Sequence, residues 1–336
     1  MSLTIKDIAK MAGVSITSVS RVLNNKTEGI SESTRQRVLK IIEQHNYRPN
    51  AIARSMITKN TKTIGLIIPD IRNPFFSDLA RGIEDVASES KYSILLCNTD
   101  STLGKIIDYL WLLKEKNVDG MIFACSDPTL NREVHTFVKQ NNIPVVIVDR
   151  GLEDQMYSGV FIDNEKAAYM ATKHLLELSH TRIGCISGPS FIKNSNERLE
   201  GYFKAHQEFG VPTDKSLIRV GEYVMEGGYQ AAKELLEQTD VTALFAFNDL
   251  MAFGVYQAAE ELGLKIPDDI SVVGFDNLKY NLLLHPKLTT MEQPIYEIGE
   301  VATKLLLEQI EEGKSDQIKS VFLDTKLIVR ESTKKR

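Results

Sequence analysis

The chain has 336 residues, 43% of them hydrophobic and 25% charged, which is enough for two or three domains with hydrophobic cores. No apolar run approaches the roughly 20 residues of a membrane span, and Met1–Leu3 leads straight into a helical pattern, so a cytoplasmic protein is expected. The net charge of −5 is spread unevenly: residues 1–60 hold ten Lys and Arg against four Asp and Glu, a basic head on an acidic body. Such a head suits a polyanion, although charges clustered on a solvated face would read the same way.

Residues 4–47 carry only helical periodicity. Ile5, Ile8, Ala9 and Ala12 share one face of a first helix, Gly13 ends it, and Ser15 can cap a second helix that runs to Leu23. A third is expected from about Ser33 to His45, with Val38, Ile41 and Ile42 inward. In the second helix Val19, Val22 and Leu23 are spaced to pack on the first. Thr17 and Arg21 lie on the opposite face, with Ile16 and Ser20 beside them and Ser18 adjoining. This is helix-turn-helix spacing, which lays the second helix in the major groove of DNA. There Arg21 suits a guanine edge, Thr17 a mixed polar contact and Ile16 a thymine methyl. A plain helical hairpin could also expose a Thr and an Arg.

Asn46–Asn60 is a polar connector containing Pro49. From Thr63 short β-rich runs alternate with amphipathic segments. The strand candidates are Ile64–Pro69, Ser93–Asn98, Met121–Cys125, Val145–Asp149, Val160–Asp163, Ile183–Ser187, Ala243–Phe247 and Val272–Asp276. Helical candidates include 77–90, 104–117, 164–178, 195–209, 227–238 and 249–262. The alternation predicts parallel sheets covered on both faces, and two doubly wound subdomains fit better than one very wide sheet.

Ligands of such sheets bind outside the carboxyl ends of the strands. Asp149-Arg150, Asn248-Asp249 and Asp276-Asn277 each close an apolar run, Asn73-Pro74-Phe75-Phe76 follows the first strand, and Arg198 lies in a polar stretch after Gly188-Pro189. Carboxylates, amides and a guanidinium around aromatic rings suit a molecule dense in hydroxyls. Each residue also has a structural alternative: a strand-end Asp can cap the next helix, and Phe75 or Phe76 can be plain core. Cys97, Cys125 and Cys185 are scattered through apolar runs and read as reduced, buried thiols. We find no Gly-rich phosphate loop, nucleophile elbow or clustered metal-ligand pattern, so neither an enzyme nor a metal or cofactor site is expected. Asp149 and Asp276 could form an acid/base pair, but nothing supplies a reaction centre.

The run Thr4-Ile5-Lys6-Asp7-Ile8-Ala9, followed by Ala12-Gly13-Val14-Ser15 and Val19-Ser20-Arg21-Val22-Leu23-Asn24, closely resembles the lactose/galactose-repressor family. Tyr47-Arg48-Pro49-Asn50-Ala51-Ile52-Ala53-Arg54-Ser55 resembles that family's hinge helix, and the likeness continues to Arg330. It implies a small all-α helix-turn-helix domain plus an α/β periplasmic-binding-protein-like body of two doubly wound parallel-sheet subdomains. The implied divisions are 1–47 for the head, 48–62 for hinge helix and linker, and 63–336 for effector binding and dimerisation. Within the body they are approximately 63–162 plus 293–320, and 163–292 plus 321–330.

The resemblance extends the DNA-contact set, with Ile16, Thr17, Ser18 and Arg21, to Asn50, Ala53 and Met56 in the hinge. Met56 stands where the family usually inserts a Leu into the minor groove, and Ile57 replaces a position often Lys or polar. It also implies that Asn73, Phe75, Phe76, Asp149, Arg150, Arg198, Tyr223, Asn248, Asp276 and Gln293 surround an effector, ribose or another sugar or sugar acid. Lys193 and Lys279 lie near pocket segments and keep an acidic ligand open. After a last strand over Val321–Val329 the further Leu-rich, tetramer-forming helix that one member of the family carries is missing, so a homodimer on a pseudo-palindromic operator is expected, with Lys334-Lys335-Arg336 a solvated tail. The implied function is an allosteric transcriptional repressor. The alternative is a catabolite-control type read by a phosphorylated carrier protein, which Arg81-Gly82-Ile83-Glu84-Asp85 and Tyr296-Glu297-Ile298-Gly299 resemble.

Overall fold

A computed structural model describes residues 3–26, 28–47, 60–124, 128–149, 157–313 and 317–336, which divide into two units between Thr61 and Lys62. In the first unit, α1 (Ile5–Ala12) starts on a capping box in which Thr4 and Asp7 bond each other's backbone N–H. Gly13 ends it at φ +61°, a left-handed position that any Cβ would strain. Ser15 caps α2 (Ile16–Leu23), and Ser31 caps α3 (Glu32–Gln44). Ile8, Ala9, Ala12, Val19, Val22, Val38 and Tyr47 form the core, with Ile41 and Ile42 half-buried against it.

The second unit alternates strand and helix. In chain order come β1 (Thr63–Ile68), α4 (Pro74–Glu89), β2 (Ser93–Asn98), α5 (Leu103–Glu115), β3 (Gly120–Phe123), α6 (Pro128–Asn141), β4 (Val145–Val148) and β5 (Ser158–Ile162). Then follow α7 (Asn164–Glu177), β6 (Ile183–Ser187), α8 (Lys193–Glu208), β7 (Ile218–Val220), α9 (Met225–Gln238), β8 (Ala243–Ala246), α10 (Asp249–Glu261), β9 (Ser271–Asp276) and β10 (Thr289–Glu292). The chain closes with α11 (Ile295–Glu312), β11 (Ser320–Leu323) and β12 (Lys326–Ile328).

Two sheets result. The first runs β11-β5-β4-β3-β1-β2 and is parallel throughout; the second runs β12-β10-β9-β8-β6-β7 and is parallel except at β12. Every residue of β3, β4, β6, β8 and β9 is buried, as helices on both faces require. The chain passes between the sheets after β5, after β10 and after β11.

Three expectations change. The stretch Val321–Val329 is not one strand: Ser320–Leu323 pairs with β5 in the first sheet, and Lys326–Ile328 pairs with β10 in the second. The last crossing therefore falls between Leu323 and Lys326, not at 320/321. The final residues are not a free tail. Ser332 is buried and donates to the Val272 carbonyl at 2.6 Å, Lys334 N–H donates to Ser271, and Arg336 N–H donates to the Leu178 carbonyl. Their charged side chains are exposed, which is why composition alone read them as solvated. Strands β7 and β10, and helices α6 and α11, were not among the expected elements. Cys97 and Cys185 are buried and free, and burial pushes both thiols up; Cys125 lies outside the described residues. Among the described residues no helix is long and apolar enough to cross a membrane.

Candidate nucleic-acid interface and ligand pocket

Burying Val19 and Val22 against α1 turns the other face of α2 outward. Ile16 is 44% exposed, and Thr17 and Arg21 are exposed with it. An apolar side chain left in water at that level, beside a hydroxyl and a guanidinium, is what a groove reader offers before it meets a base edge. Arg21 is steadied by one 3.3 Å bond to the Glu28 carbonyl. Ser18 belongs partly to the cap: its N–H donates to Ser15 Oγ at 3.1 Å and its hydroxyl lies 2.9 Å from the same atom. Asn50, Ala53 and Met56 lie outside the described residues.

In the second unit the carboxyl ends of seven strands deliver one cavity. Asn73, Phe75, Phe76, Asp149, Arg198, Tyr223, Asn248, Asp276 and Gln293 line it together, and so does Asn194. Arg150 lies outside the described residues. The volume is about 20 Å³, room for about one water molecule. Phe75 and Phe76 meet edge to face at 5.0 Å on the side of the first sheet, so they are both core and wall. Asn73 caps α4 through Phe75 N–H.

Arg198 is the central cation and is only 2% exposed. Its Nε donates to Asn164 Oδ1 at 2.9 Å, a terminal nitrogen donates to the Phe247 carbonyl, and the guanidinium stacks on the Phe275 ring at 3.7 Å. Around it runs a chain of polar contacts. Asn194 donates to Asp149 at 3.3 Å and accepts from the Tyr223 hydroxyl at 3.0 Å; Gln293 donates to Asp276 at 2.7 Å. Asn248 caps α10 through Met251 N–H and donates to the Tyr223 carbonyl, so its helix-capping alternative and its pocket position hold at once. The Tyr223 ring lies against Gly188, where a Cβ would come within 2.2 Å of it. Asp149, Tyr223 and Asp276 have φ of 62°, 59° and 119°, strained values that cluster at functional sites.

Asn194 and Asp249 complete the geometry. Asn194 lies four residues before Arg198 on α8, so helical spacing could have found it. Asp249 is fully buried just behind the cavity and accepts from Leu278 N–H, Asn281 and the Thr290 hydroxyl at 2.7–2.8 Å. Burial pushes Asp249 up to about 6. Burial, and then the Asp249 charge, hold Asp276 well above the ordinary carboxylate range. Lys193 pairs with Glu197 at 3.8 Å and Lys279 with Asp78 at 3.4 Å, and neither lines the cavity. No group of three or more potential metal ligands occurs among the described residues.

Two family descriptions match the chain: "Bacterial regulatory proteins, lacI family" over residues 4–50, and "Periplasmic binding proteins and sugar binding domain of LacI family" over 61–330. A relative from Photobacterium profundum described as the HTH-type transcriptional repressor PurR is 38% identical and covers 98% of each chain. A LacI family transcriptional regulator from Enterococcus faecium, solved with bound ribose, is 34% identical, covers 82% of this chain and 99% of its own, and superimposes with a TM-score of 0.75. The lac repressor dimer bound to operator and the anti-inducer ONPF is 26% identical with a TM-score of 0.88, covering 99% and 100% of the two chains.

Proposed function

The chain belongs to the lacI family of bacterial regulatory proteins, and from that premise we propose that it is a transcriptional repressor whose body senses a small polyhydroxyl effector. What carries the reading is the convergence of nine sequence-chosen residues on one cavity at strand ends. Two heads presenting α2 would read a pseudo-palindromic operator, which makes the working species a homodimer. A protein that acts on chromosomal operators works in the cytoplasm, and we assign it no catalytic role.

A sugar is far larger than the present cavity, so its entry has to part the two sheets. The chain crosses between them three times, and Gln293 sits at the second crossing. A ligand bridging Phe75 and Phe76 on one side to Arg198, Asp276 and Gln293 on the other therefore selects one relative orientation of the sheets. A coupling of about 1–3 kcal/mol would change operator affinity roughly 5–150-fold.

The carrier-protein alternative gains no support from α4 and α11. Arg81, the cation that would meet a phosphate there, is bonded to Asp85 and lies 3.4 Å from Glu84, and the Tyr296 hydroxyl donates to Asp85 at 2.8 Å. The test is a thermal-shift screen of sugars followed by operator binding with and without the hit. At a hundred times its Kd an effector stabilises by about 2.7 kcal/mol. A response only to phosphorylated carrier protein would reject the proposal.

A further inference from the structure

We propose that Arg330, which does not line the cavity, positions Asp276 and Gln293 for the effector by acting through the side chain of Asn277. This rests on reading the cavity as the effector site and adds to that site a positioning residue behind its wall.

The backbone is where the need for such a residue shows. Asp276 and Asn277 close β9 at φ of 119° and 57°. Asn tolerates the second value, but the first lies beyond the left-handed region that side chains such as Asp can enter. A pair of this kind persists where its surroundings over-determine it. Asp276 accepts from Gln293 Nε2 at 2.7 Å, and Gln293 Oε1 has no partner among the described residues, so the two cavity side chains take their aim from each other. What braces them from behind is the neighbour of each in the chain. Asn277 follows Asp276, Glu292 precedes Gln293, and Asn277 Nδ2 donates to Glu292 Oε1 at 2.9 Å. The Asn277 N–H adds a 3.3 Å bond to the Thr290 hydroxyl.

Arg330 closes this bracket. Its Nη2 donates to Asn277 Oδ1 at 2.6 Å, its Nη1 to the Leu288 carbonyl at 2.7 Å, and its backbone N–H to the Thr289 hydroxyl at 2.9 Å. A guanidinium at the amide oxygen and a carboxylate at the amide nitrogen fix Asn277 in one orientation, through two charge-assisted bonds. Arg330, Asn277 and Glu292 are half-buried, so water competes with these bonds less than at the surface. The end of β9 is thereby tied to the start of β10 by one planar fork, which the single nitrogen of a lysine does not reproduce. Arg330 stands two residues beyond β12, the strand that follows the last crossing from the first sheet. A turn of one sheet against the other is felt at that crossing, so the bracket links the aim of Asp276 and Gln293 to the orientation of the sheets.

The experiment is titration calorimetry on the full-length protein, with ribose, arabinose, xylose, glucose and galactose as probes and thermal unfolding measured alongside. For a sugar that binds wild type, Arg330→Ala should raise Kd about 10-fold or more. Arg330→Lys should recover part of that loss, leaving Kd raised about 3-fold. Asn277→Gly keeps the left-handed backbone and deletes the amide, so it should weaken binding as Arg330→Ala does. Adding Arg330→Ala to it should then cost less than about 2-fold more. Ser332→Ala is the control: it removes bonds to Val272 and Thr289 in the same sheet and should lower Tm. Its sugar Kd should stay within about 2-fold of wild type. Losses that add fully in the double variant overturn the route through Asn277. A Kd weakened as much by Ser332→Ala, at an equal loss of Tm, reduces Arg330 to a stabilising residue and overturns the proposal. Should Arg330→Ala not fold, Arg330→Lys and Asn277→Gly carry the same comparison. A wild-type Kd in the Arg330 and Asn277 variants defeats this proposal alone, whereas binding of no sugar by wild type defeats the polyhydroxyl reading and this proposal with it.

Discussion

On α2, Ile16, Thr17 and Arg21 stand exposed, whereas Arg198, Asn248, Asp276 and Gln293 in the pocket are each no more than 5% exposed and bonded to a neighbour. The head's readers are fixed by little besides their backbone, so ordering them is a cost met when DNA binds. The pocket's readers are ordered by folding, and the strain at Asp149, Tyr223 and Asp276 belongs to the same arrangement. Substitution should therefore cost the head its affinity and the pocket its fold as well as its ligand. This division can be broken by experiment, beginning with the residue on which it leans hardest.

Arg198→Ala removes a buried cation whose charge favours the Asp276 carboxylate, and unpairs Asn164 Oδ1 and the Phe247 carbonyl. Breaking a buried charged network by deleting one partner costs about 3–5 kcal/mol. Thermal unfolding should show that loss in the body's transition. Operator affinity, measured well below the lowered Tm, should be nearly intact and insensitive to effector. An unchanged Tm would mean that Arg198 is no more fixed than Arg21, and the contrast would fail.

The pH dependence tests the same burial. Asp249, lifted from 3.8 to about 6, and Asp276, lifted well above 3.8, both hold their protons more tightly in the folded state. Their stabilising contribution is thus complete below pH 3.8 and is lost as pH rises through about 6 and beyond. For Asp249 alone the span is worth up to about 3 kcal/mol. Burial lowers His174, His180 and His206 below 6.5, which acts in the opposite direction, so the informative quantity is a difference between two proteins. From pH 6.5 to 8.5 wild type should lose more Tm than Asp276→Asn. Parallel curves would show that Asp276 is ordinarily ionised.

Arg21→Ala examines the exposed side. It should cost about 1–3 kcal/mol at the operator and relax preference at one base position per half-site, with the body's Tm and effector affinity unchanged. An equal loss on operator and random DNA would reduce Arg21 to a phosphate contact, which is measured by competition binding at two salt concentrations.

How much of this was legible beforehand follows from the same contrast. Helix α1, its Gly13 stop and the Ser15 cap were readable because local rules govern them. The strand-end rule and the family resemblance together named nine of the ten cavity residues. What escaped depends on tertiary context. Thr289-Thr290-Met291-Glu292 has no apolar run, yet Thr289 and Thr290 are fully buried because β10 lies between β9 and β12. Ile218–Val220 is only three residues long at a sheet edge. Asp324-Thr325 gave no sign that the chain changes sheets there, since strands on either side share one β-rich pattern. Asp249 was visible as a strand-end acid, but its place behind the cavity depends on Leu278, Asn281 and Thr290, which arrive from 29 to 41 residues away.

The smallest predicted effect is the sharpest test of the head as a locally governed region. Ser15 Oγ accepts from Ser18 N–H at 3.1 Å, satisfying one of the donors that the first turn of α2 would otherwise leave open. Ser15→Ala removes that acceptor without touching the core formed by Val19 and Val22, and an N-cap lost in this way costs about 1 kcal/mol. The turn that frays carries Ile16, Thr17 and Ser18, so amide hydrogen exchange in the full-length protein should speed up at the start of α2 by roughly 5-fold. Operator affinity should fall by about the same factor, because the docked helix has to be re-formed at each binding event. Exchange across β4, β8 and β9 and the affinity for effector should not move, since the strands that place Asp149, Asn248 and Asp276 share no hydrogen bond with Ser15. If the effector response changed with this substitution, the cap would be part of the allosteric path, and recognition by head and pocket could no longer be treated as separately built.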